Sequence, residues 1–140
     1  MKRVMFVCKK NSRRSQMAEG FARALGGDQV YVASAGLEAS FVDPLTVQVM
    51  QEVGIDISQQ KSKPLSEFQP ADFDAVISLC GCGVNLPPEW LTRDYFADWQ
   101  LEDPEGGDLD TFRRVRDQVK ERVTQFLHAR GCLSKIGNKS

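Results

Sequence analysis

Apolar residues along the chain occur first as a short continuous run and then as a helix-spaced stripe. Residues 3–7 form a nearly continuous apolar run, which predicts a strand buried on both faces of a parallel sheet. From Ser15 the apolar period becomes that of a helix, and Gly26-Gly27 marks its end. The stripe of this helix consists of Met17, Phe21 and Leu25, with Ala18 and Ala22 beside it. The chain is therefore predicted to begin with a strand, a turn and a helix.

The same order of elements is repeated before residue 60. Residues 30–33 predict a second strand, which leads into Ser-Ala-Gly at 34–36. Asp43 is placed to cap a second helix with Pro44 at its first position, and Gly54 stops that helix. The apolar stripe of the second helix consists of Leu45, Val49, Met50 and Val53. The first half of the chain is predicted to be βαβα.

The second half continues the alternation. Residues 74–79 predict a third strand, and a weaker fourth strand is predicted around 95–97. An acidic, glycine-containing loop over 101–110 precedes a last helix, which Gly131 ends. The apolar stripe of the last helix consists of Phe112, Val115, Val119, Val123 and Phe126. Alternating strands and helices predict an α/β fold with a parallel sheet covered on both faces.

Length and charge limit the classes of protein that this chain can be. Its 140 residues suit one domain with a single core, which we expect over 1–131, with a frayed tail over 132–140. A net charge of -1 gives no overall attraction to nucleic acid or to a membrane surface. The apolar run near the start is too short for a signal peptide, and no segment approaches the roughly 20 apolar residues that cross a bilayer. We expect a cytoplasmic protein.

The four cysteines are Cys8, Cys80, Cys82 and Cys132. Cytoplasmic thiols stay reduced, so these cysteines indicate metal or redox chemistry rather than structural disulfides. Cys8 and Cys80 each follow a predicted strand. Because ligands of parallel α/β folds bind at the carboxyl ends of the strands, two thiols from distant positions can meet at one edge of the sheet.

Five residues separate Cys8 from Arg14, in the most basic stretch of the chain. This spacing lets a tight loop wrap its backbone N–H groups around a tetrahedral oxyanion while the arginine closes on two oxygens. The N-terminus of the following helix attracts an anion and favours the thiolate of Cys8, which is the reactive form. We predict that Cys8 is a nucleophile. The predicted oxyanion loop consists of Lys9, Lys10, Asn11, Ser12, Arg13, Arg14 and Ser15.

The same spacing also fits a buried cysteine at a strand end, followed by a solvated basic turn. The strand before, the helix after, and the short polar side chains of Asn11, Ser12 and Ser15 favour the nucleophile, because such side chains can brace a loop or hydrogen-bond the sulfur. Three basic side chains are interpreted as outer or solvent-facing charges rather than anion ligands: Lys9, Lys10 and Arg13.

A nucleophile that attacks an oxyanion needs a proton donor for the departing oxygen. Asp103-Pro104, in the loop before the last helix, supplies the leading candidate for this general acid. A lone Asp-Pro pair is usually only a turn. The other carboxylates nearby remain open as competitors: Asp98, Glu102, Glu105 and Asp108.

Several segments in order carry a family resemblance: "VCKKNSRRSQMAEGFAR", "SAG" at 34–36, "VGIDIS" at 53–58, "LCGC" and "EDPEG". Together they resemble arsenate reductases built on the low-molecular-weight protein tyrosine phosphatase fold, over roughly residues 3–126. The resemblance implies a single domain with a central four-stranded parallel sheet and flanking helices. It also implies an oxyanion loop from Cys8 to Arg14 and a general acid at Asp103. No bound metal or cofactor is expected.

An arsenate reductase must deliver two electrons, which a phosphatase of this fold need not do. The thiolate of Cys8 would attack arsenate, for which phosphate or sulfate are mimics, and Cys80 would then attack the Cys8 sulfur and expel arsenite. Cys82 would finally form a disulfide with Cys80. With only Gly81 between them, that disulfide is expected to be easily reduced.

The resemblance also indicates the electron donor. Thioredoxin-linked members have a cysteine where Arg13 stands and a longer stretch between their second and third redox cysteines. The compact pair here resembles the glutathione and glutaredoxin-linked members, with thioredoxin the less favoured donor. Thioredoxin-linked members tend to bind potassium through residues matching Asn11, Glu19 and Ser34 and an aspartate where this chain has Lys63. We expect the Lys63 ammonium to take the role of that cation.

Alternative functions remain open. The runner-up is a phosphatase, although tyrosine phosphatases of this fold carry aromatic residues after Asp-Pro where this chain has Glu105, Gly106 and Gly107. Small phosphoesters are therefore the better phosphatase substrates. A non-catalytic oxyanion-binding or redox-sensing module is a third possibility. A zinc site is disfavoured, because Cys-x2-Cys spacing is lacking and His128 near the end of the last helix is the only histidine.

Overall fold

The computed structural model describes residues 2–81 and 85–133. Four parallel strands form one sheet in the order β2-β1-β3-β4. They are β1 (Lys2–Cys8), β2 (Val30–Gly36), β3 (Ala75–Ser78) and β4 (Tyr95–Asp98). The predicted four-stranded parallel sheet is confirmed.

In the described part of the chain, four α-helices accompany the sheet: α1 (Arg14–Gly26), α2 (Pro44–Glu52), α3 (Pro88–Leu91) and α4 (Leu109–Ala129). As predicted, the Asp43 side chain accepts a hydrogen bond from the Leu45 amide and Pro44 begins α2. Asp108 caps α4 in the same way by accepting from the Thr111 amide. The last helix therefore begins at Leu109, inside the stretch that the sequence predicted as loop.

Two apolar clusters cover the two faces of the sheet. On one face, side chains of α1, α2 and α4, such as Phe21, Met50 and Val119, pack with Val4 and Phe6 of β1. On the other face, Met5 and Val7 pack against a second group, which includes Leu65, Phe73, Val76 and Trp90. Each fully buried side chain of this kind contributes roughly 1.5–3 kcal/mol. Because every apolar residue of β1 is buried on one face or the other, the sequence of this strand is continuously apolar.

Two sequence predictions need correction. The stripe of α2 does not reach Val53, because the helix ends at Glu52 and Val53 is 38% exposed just beyond it. Cys132, expected in a frayed tail, is buried, and its amide donates to the Leu127 carbonyl. Residues 134–140 lie outside the described residues. Among the helices of the described part of the chain, none is long and apolar enough to span a membrane.

Candidate active site

Cys8 is the last residue of β1 and lies at the carboxyl edge of the sheet. It pairs with Gly36 of β2, and the neighbouring Val7 pairs with Ser78 of β3. The Cys8 side chain is buried. Arg14 follows as the first residue of α1, so the intervening loop runs from a central strand into a helix N-terminus. The strand, loop and helix predicted around Cys8 are confirmed.

Asn11 fixes the shape of the oxyanion loop. Its backbone is left-handed, with φ 52°, a conformation in which asparagine is enriched among non-glycine residues. The fully buried amide donates from Nδ2 to Ser15 Oγ at 2.7 Å and to Ser34 Oγ at 2.9 Å. Its Oδ1 accepts from the Lys63 amide at 2.9 Å and from Gln16 Nε2 at 2.9 Å. The short polar side chains therefore brace the loop, as the sequence suggested.

Ser15 connects this network to the sulfur. Its Oγ lies 2.9 Å from Cys8 Sγ. Because that oxygen accepts a hydrogen bond from Asn11, its own proton is free to be donated to the sulfur. The oxyanion loop can therefore supply a hydroxyl donor to the sulfur.

Gly36 permits the close packing of β2 against the loop, which sequence reasoning did not identify as necessary. A Cβ at this position would lie 2.4 Å from the Glu38 carbonyl oxygen, 2.7 Å from the Lys10 carbonyl carbon and 2.8 Å from the Asn11 nitrogen. All three are backbone atoms and cannot turn aside. The Ser-Ala-Gly sequence was the available signal, because a glycine at a strand end can mark a close backbone approach.

The guanidinium of Arg14 is fixed by two backbone carbonyl groups, which bind its Nη1 and leave its Nε available. Its Nη1 donates to the carbonyl oxygens of Leu101 at 2.7 Å and Leu79 at 3.3 Å. Its Nε is buried and has no hydrogen-bond partner among the residues that the structure describes. A buried donor without a partner is costly, so an acceptor is expected to fill the adjacent space.

Arg14 lines a cavity of about 110 Å³, together with Cys8, Lys9, Lys10, Ser12, Arg13, Asp103 and Glu105. Pockets for drug-sized ligands measure about 300–1,000 Å³, so this one suits a small ion. None of the described residues that line it is aromatic. A larger cavity of about 660 Å³ near Tyr31 and Gln59 does not include the cysteine.

Asp103 lies in the loop between β4 and α4, at the mouth of the small cavity. Its Oδ2 lies 3.5 Å from Arg14 Nη2, and its Oδ1 lies 3.0 Å from Arg13 Nε. Partial burial raises the pKa of the Asp103 carboxyl, but the Glu105 amide and the charges of Arg14 and Arg13 outweigh this effect. The pKa therefore lies below its ordinary value.

Three of the four competing carboxylates are engaged elsewhere. Glu102 pairs with Arg114 at 2.8 Å, Asp108 caps α4, and Asp98 accepts from the Gly81 amide at 3.0 Å. Glu105 lines the cavity, but its side chain is 61% exposed and it lies 3.6 Å from Arg13 rather than beside Arg14. Position thus favours Asp103 as a proton donor.

Of the basic residues, Lys9 is exposed and Lys10 is half-buried, as the interpretation of outer charges requires. Arg13 differs, because it is only 8% exposed and contacts carboxylates from other segments. Sequence reasoning missed this role, since the partners, Asp43 and Asp103, lie 30 and 90 positions away.

Cys80 follows β3 at the same edge of the sheet as Cys8. It is disulfide-bonded, and its Sγ lies 3.7 Å from Ser78 Oγ. The next residue, Gly81, has φ +72°, a conformation that glycine adopts readily. Cys82, the predicted third member of the relay, lies outside the described residues.

Neither His128 nor Cys132 lines the small cavity. His128 is exposed. The Cys132 thiol is free and buried, and burial raises its pKa. It is therefore a poor nucleophile at neutral pH.

A cysteine at a strand end, an arginine at the following helix start and a carboxylate facing both define a thiol-dependent oxyanion-binding protein of the phosphatase type. The low molecular weight phosphotyrosine protein phosphatase model matches residues 3–136. The chain belongs to this family.

Known relatives are similar over nearly their whole length. The chain is 62% identical to a glutaredoxin arsenate reductase of Synechocystis, covering 91% of this chain and 97% of that protein. It is 40% identical to arsenate reductase 1 of Staphylococcus epidermidis, covering 91% and 96%. A solved arsenate reductase in a phosphate-binding state matches with a TM-score of 0.88 at 61% identity, covering 92% and 98%.

Proposed function

We propose that this protein reduces arsenate to arsenite through a relay of thiols, and that glutathione and glutaredoxin reduce the resulting disulfide. The observation that carries the proposal is the convergence of Cys8, Arg14 and Asp103 on one small cavity. The Arg14 Nε, which has no partner among the described residues, adds a donor for an anion. The similarity to the Synechocystis glutaredoxin arsenate reductase supports both the substrate and the electron donor.

In the first step, arsenate occupies the cavity, with Arg14 and the amides of the oxyanion loop as donors. The Cys8 thiolate attacks arsenic, so that a sulfur–arsenic bond forms and one arsenic–oxygen bond breaks. The departing oxygen takes a proton from Asp103 and leaves as water. Charge that develops on the oxyanion is stabilised by donors already in position.

In the second step, the Cys80 thiolate attacks the Cys8 sulfur. A disulfide forms between Cys8 and Cys80, and the sulfur–arsenic bond breaks with its electron pair going to arsenic. Arsenic is thereby reduced from As(V) to As(III) and leaves as arsenite, while two thiols are oxidised. The position of Cys80 just beyond β3, beside the strand that ends in Cys8, supports this role.

In the third step, Cys82 attacks the Cys80 sulfur and releases Cys8 as a thiolate. The oxidation is then carried by a Cys80–Cys82 disulfide, which glutathione and glutaredoxin reduce. Arg13 and the short Cys80-Gly81-Cys82 spacing depart from the thioredoxin-linked pattern, so thioredoxin is the less suitable donor. No bound cofactor is proposed. A reductant of this kind is consistent with a cytoplasmic location.

A phosphatase that acts on small phosphoesters is the second candidate. This reaction requires a nucleophile, an oxyanion loop and a general acid, for which Cys8, its loop and Asp103 are the candidates. The family to which the chain belongs is named for a related reaction, the hydrolysis of phosphotyrosine in proteins. The cavity favours a small substrate, because it is small and no described residue that lines it is aromatic.

Arsenite production from arsenate separates the candidates. Purified protein is incubated with reduced glutathione plus glutaredoxin in one vessel and with thioredoxin plus its reductase in another, with an aryl phosphate assay alongside. We expect sustained arsenite only with glutaredoxin. Steady phosphate release with no arsenite from either donor would identify a phosphatase and remove Cys80 and Cys82 from the mechanism.

A further inference from the structure

The buried side chain of Arg13 joins three separate segments of the chain. Its Nη1 lies 3.2 Å from Asp43 Oδ2, its Nε lies 3.0 Å from Asp103 Oδ1, and its Nη2 lies 3.6 Å from Glu105 Oε1. Nη1 also donates to Ser12 at 3.3 Å. A single guanidinium thus links the oxyanion loop, the N-terminus of α2 and the loop that carries Asp103.

The shape of arginine is necessary for this arrangement. The side chain of Arg13 is only 9% exposed, and burying a charge is costly unless it is paired and hydrogen-bonded. The planar guanidinium presents donors in fixed directions, so it can bind two carboxylates on different edges. A lysine ammonium would keep the charge but would lose this fixed geometry.

The two oxygens of Asp103 have different surroundings. Oδ1 accepts from Arg13 Nε at 3.0 Å and from the Glu105 amide at 3.1 Å. Oδ2 faces Arg14 Nη2 at 3.5 Å. The oxygen that carries a proton to substrate must be free to turn to the cavity, and Oδ1 already has two donors. Oδ2 is therefore the oxygen suited to proton transfer.

We propose that Arg13 is a positioning residue that holds Asp103 through Oδ1 and so keeps Oδ2 directed at the departing oxygen of the bound oxyanion. The proposal rests on the proposed function, in which Asp103 is the general acid. When the oxyanion binds, Arg14 gives up its ion pair with Asp103 and binds the anion instead. Arg13 keeps its hydrogen bond to Asp103 Oδ1. As the arsenic–oxygen bond breaks, the proton on Oδ2 moves to the departing oxygen and Asp103 becomes a carboxylate.

A double-mutant cycle tests this proposal, because residues that act through one another have non-additive effects. The single-turnover rate of arsenite formation by pre-reduced enzyme is measured at saturating arsenate, together with the arsenate concentration that gives half the maximal rate. The variants are Arg13→Gln, Asp103→Asn and their combination. Arg13→Lys tests the geometry of the guanidinium, since it keeps the charge.

Arg113→Gln is the matched control. Arg113 also binds two carboxylates, Glu52 and Asp110, but it lies on α4 and does not line the small cavity. Its loss is expected to leave the single-turnover rate unchanged. Thermal unfolding of each variant shows whether it folds. If Arg13→Gln does not fold, Arg13→Lys still tests the proposal, because its ammonium keeps a positive charge beside the surrounding carboxylates.

We expect Arg13→Gln to slow the rate about ten- to a hundredfold with little change in the half-saturating arsenate concentration, and Arg13→Lys to recover only part of it. In the Asp103→Asn background, Arg13→Gln should add almost nothing. Additive losses, or a change confined to arsenate affinity, would overturn the role of Arg13 alone. An Asp103→Asn variant as fast as the wild type would remove the general acid and with it the role of Arg13, while leaving arsenate reduction in place. Absence of arsenite from the wild type would instead overturn the proposed function.

Discussion

The ammonium of Lys63 lies 3.6 Å from Glu19 Oε1, and the Glu19 side chain is only 6% exposed. Ser34 Oγ donates to the same carboxylate, and Asn11 donates to Ser34 and to Ser15, which contacts Cys8. A positive charge at this position therefore supports the end of a hydrogen-bond chain that leads to the reactive sulfur.

Because Lys63 supplies that charge, arsenate reduction is expected to proceed at equal rates in sodium and potassium salts of the same concentration. Lys63→Gln should lower the free energy of unfolding by about 1 kcal/mol, because it removes the ion pair between the partly buried Lys63 and the buried Glu19. The loss stays small because Arg23 still binds Glu19. Lys61→Gln is the control, because Lys61 is an exposed neighbour. A clear rise in the wild-type rate on changing sodium for potassium would contradict this account of Lys63.

The close approach at Gly36 gives a second prediction. Gly36→Ala is expected to lower the free energy of unfolding by about 1–3 kcal/mol and to weaken sulfate binding, because the new methyl group meets backbone atoms of the oxyanion loop. Denaturant unfolding and sulfate titration calorimetry measure the two effects.

Gly54→Ala provides the comparison for Gly36→Ala. Gly54 has φ +82°, and none of the described atoms lies within 4 Å of the position that a Cβ would take, so an alanine there costs about 1–2 kcal/mol of backbone strain without touching the loop. Its sulfate affinity should match the wild type. If Gly36→Ala binds sulfate as tightly as Gly54→Ala does, the close approach is unimportant for the anion site.

Proton uptake on anion binding is the third prediction. The lowered pKa of Asp103 keeps it ionised at neutral pH while the cavity is empty. A bound dianion offsets the charge of Arg14, so the pKa of Asp103 rises and a proton is taken up from solvent. Sulfate is the suitable probe, because it carries no titratable proton near neutral pH.

Calorimetric titration with sulfate, in buffers of different ionisation enthalpy, measures this uptake. The wild type is expected to take up more protons per sulfate than Asp103→Asn does, with the difference largest toward acidic pH. Equal uptake by the two proteins would show that Asp103 does not respond to the bound anion.

The sequence predicted those parts of the site that depend on neighbours along the chain. Cys8 and Arg14 lie in one short segment, and their spacing, together with the strand before it, the helix after it and the short polar side chains within it, indicated the loop. Asp43 and Pro44 mark the start of α2 for the same local reason. The shortest elements, such as α3 with 4 residues, contain too few positions to show a period.

Features that depend on distant segments could not be predicted in this way. Arg13 was interpreted, with Lys9 and Lys10, as an outer or solvent-facing charge, yet folding brings Asp43 and Asp103 against it. Cys132 was assigned to the tail because Gly131 precedes it, but the chain turns back there and buries the thiol beside α4. Each case requires tertiary packing, which a one-dimensional pattern does not contain.

The relay of thiols is the central claim, and single cysteine variants test it most directly. Arsenite production with glutathione and glutaredoxin is measured for the wild type, Cys80→Ser and Cys82→Ser, and hydrolysis of an activated aryl phosphate reports whether Cys8 still reacts. We predict sustained arsenite production by the wild type and none by either variant, with aryl phosphate hydrolysis retained in all three. Full arsenite turnover by both variants would contradict the relay.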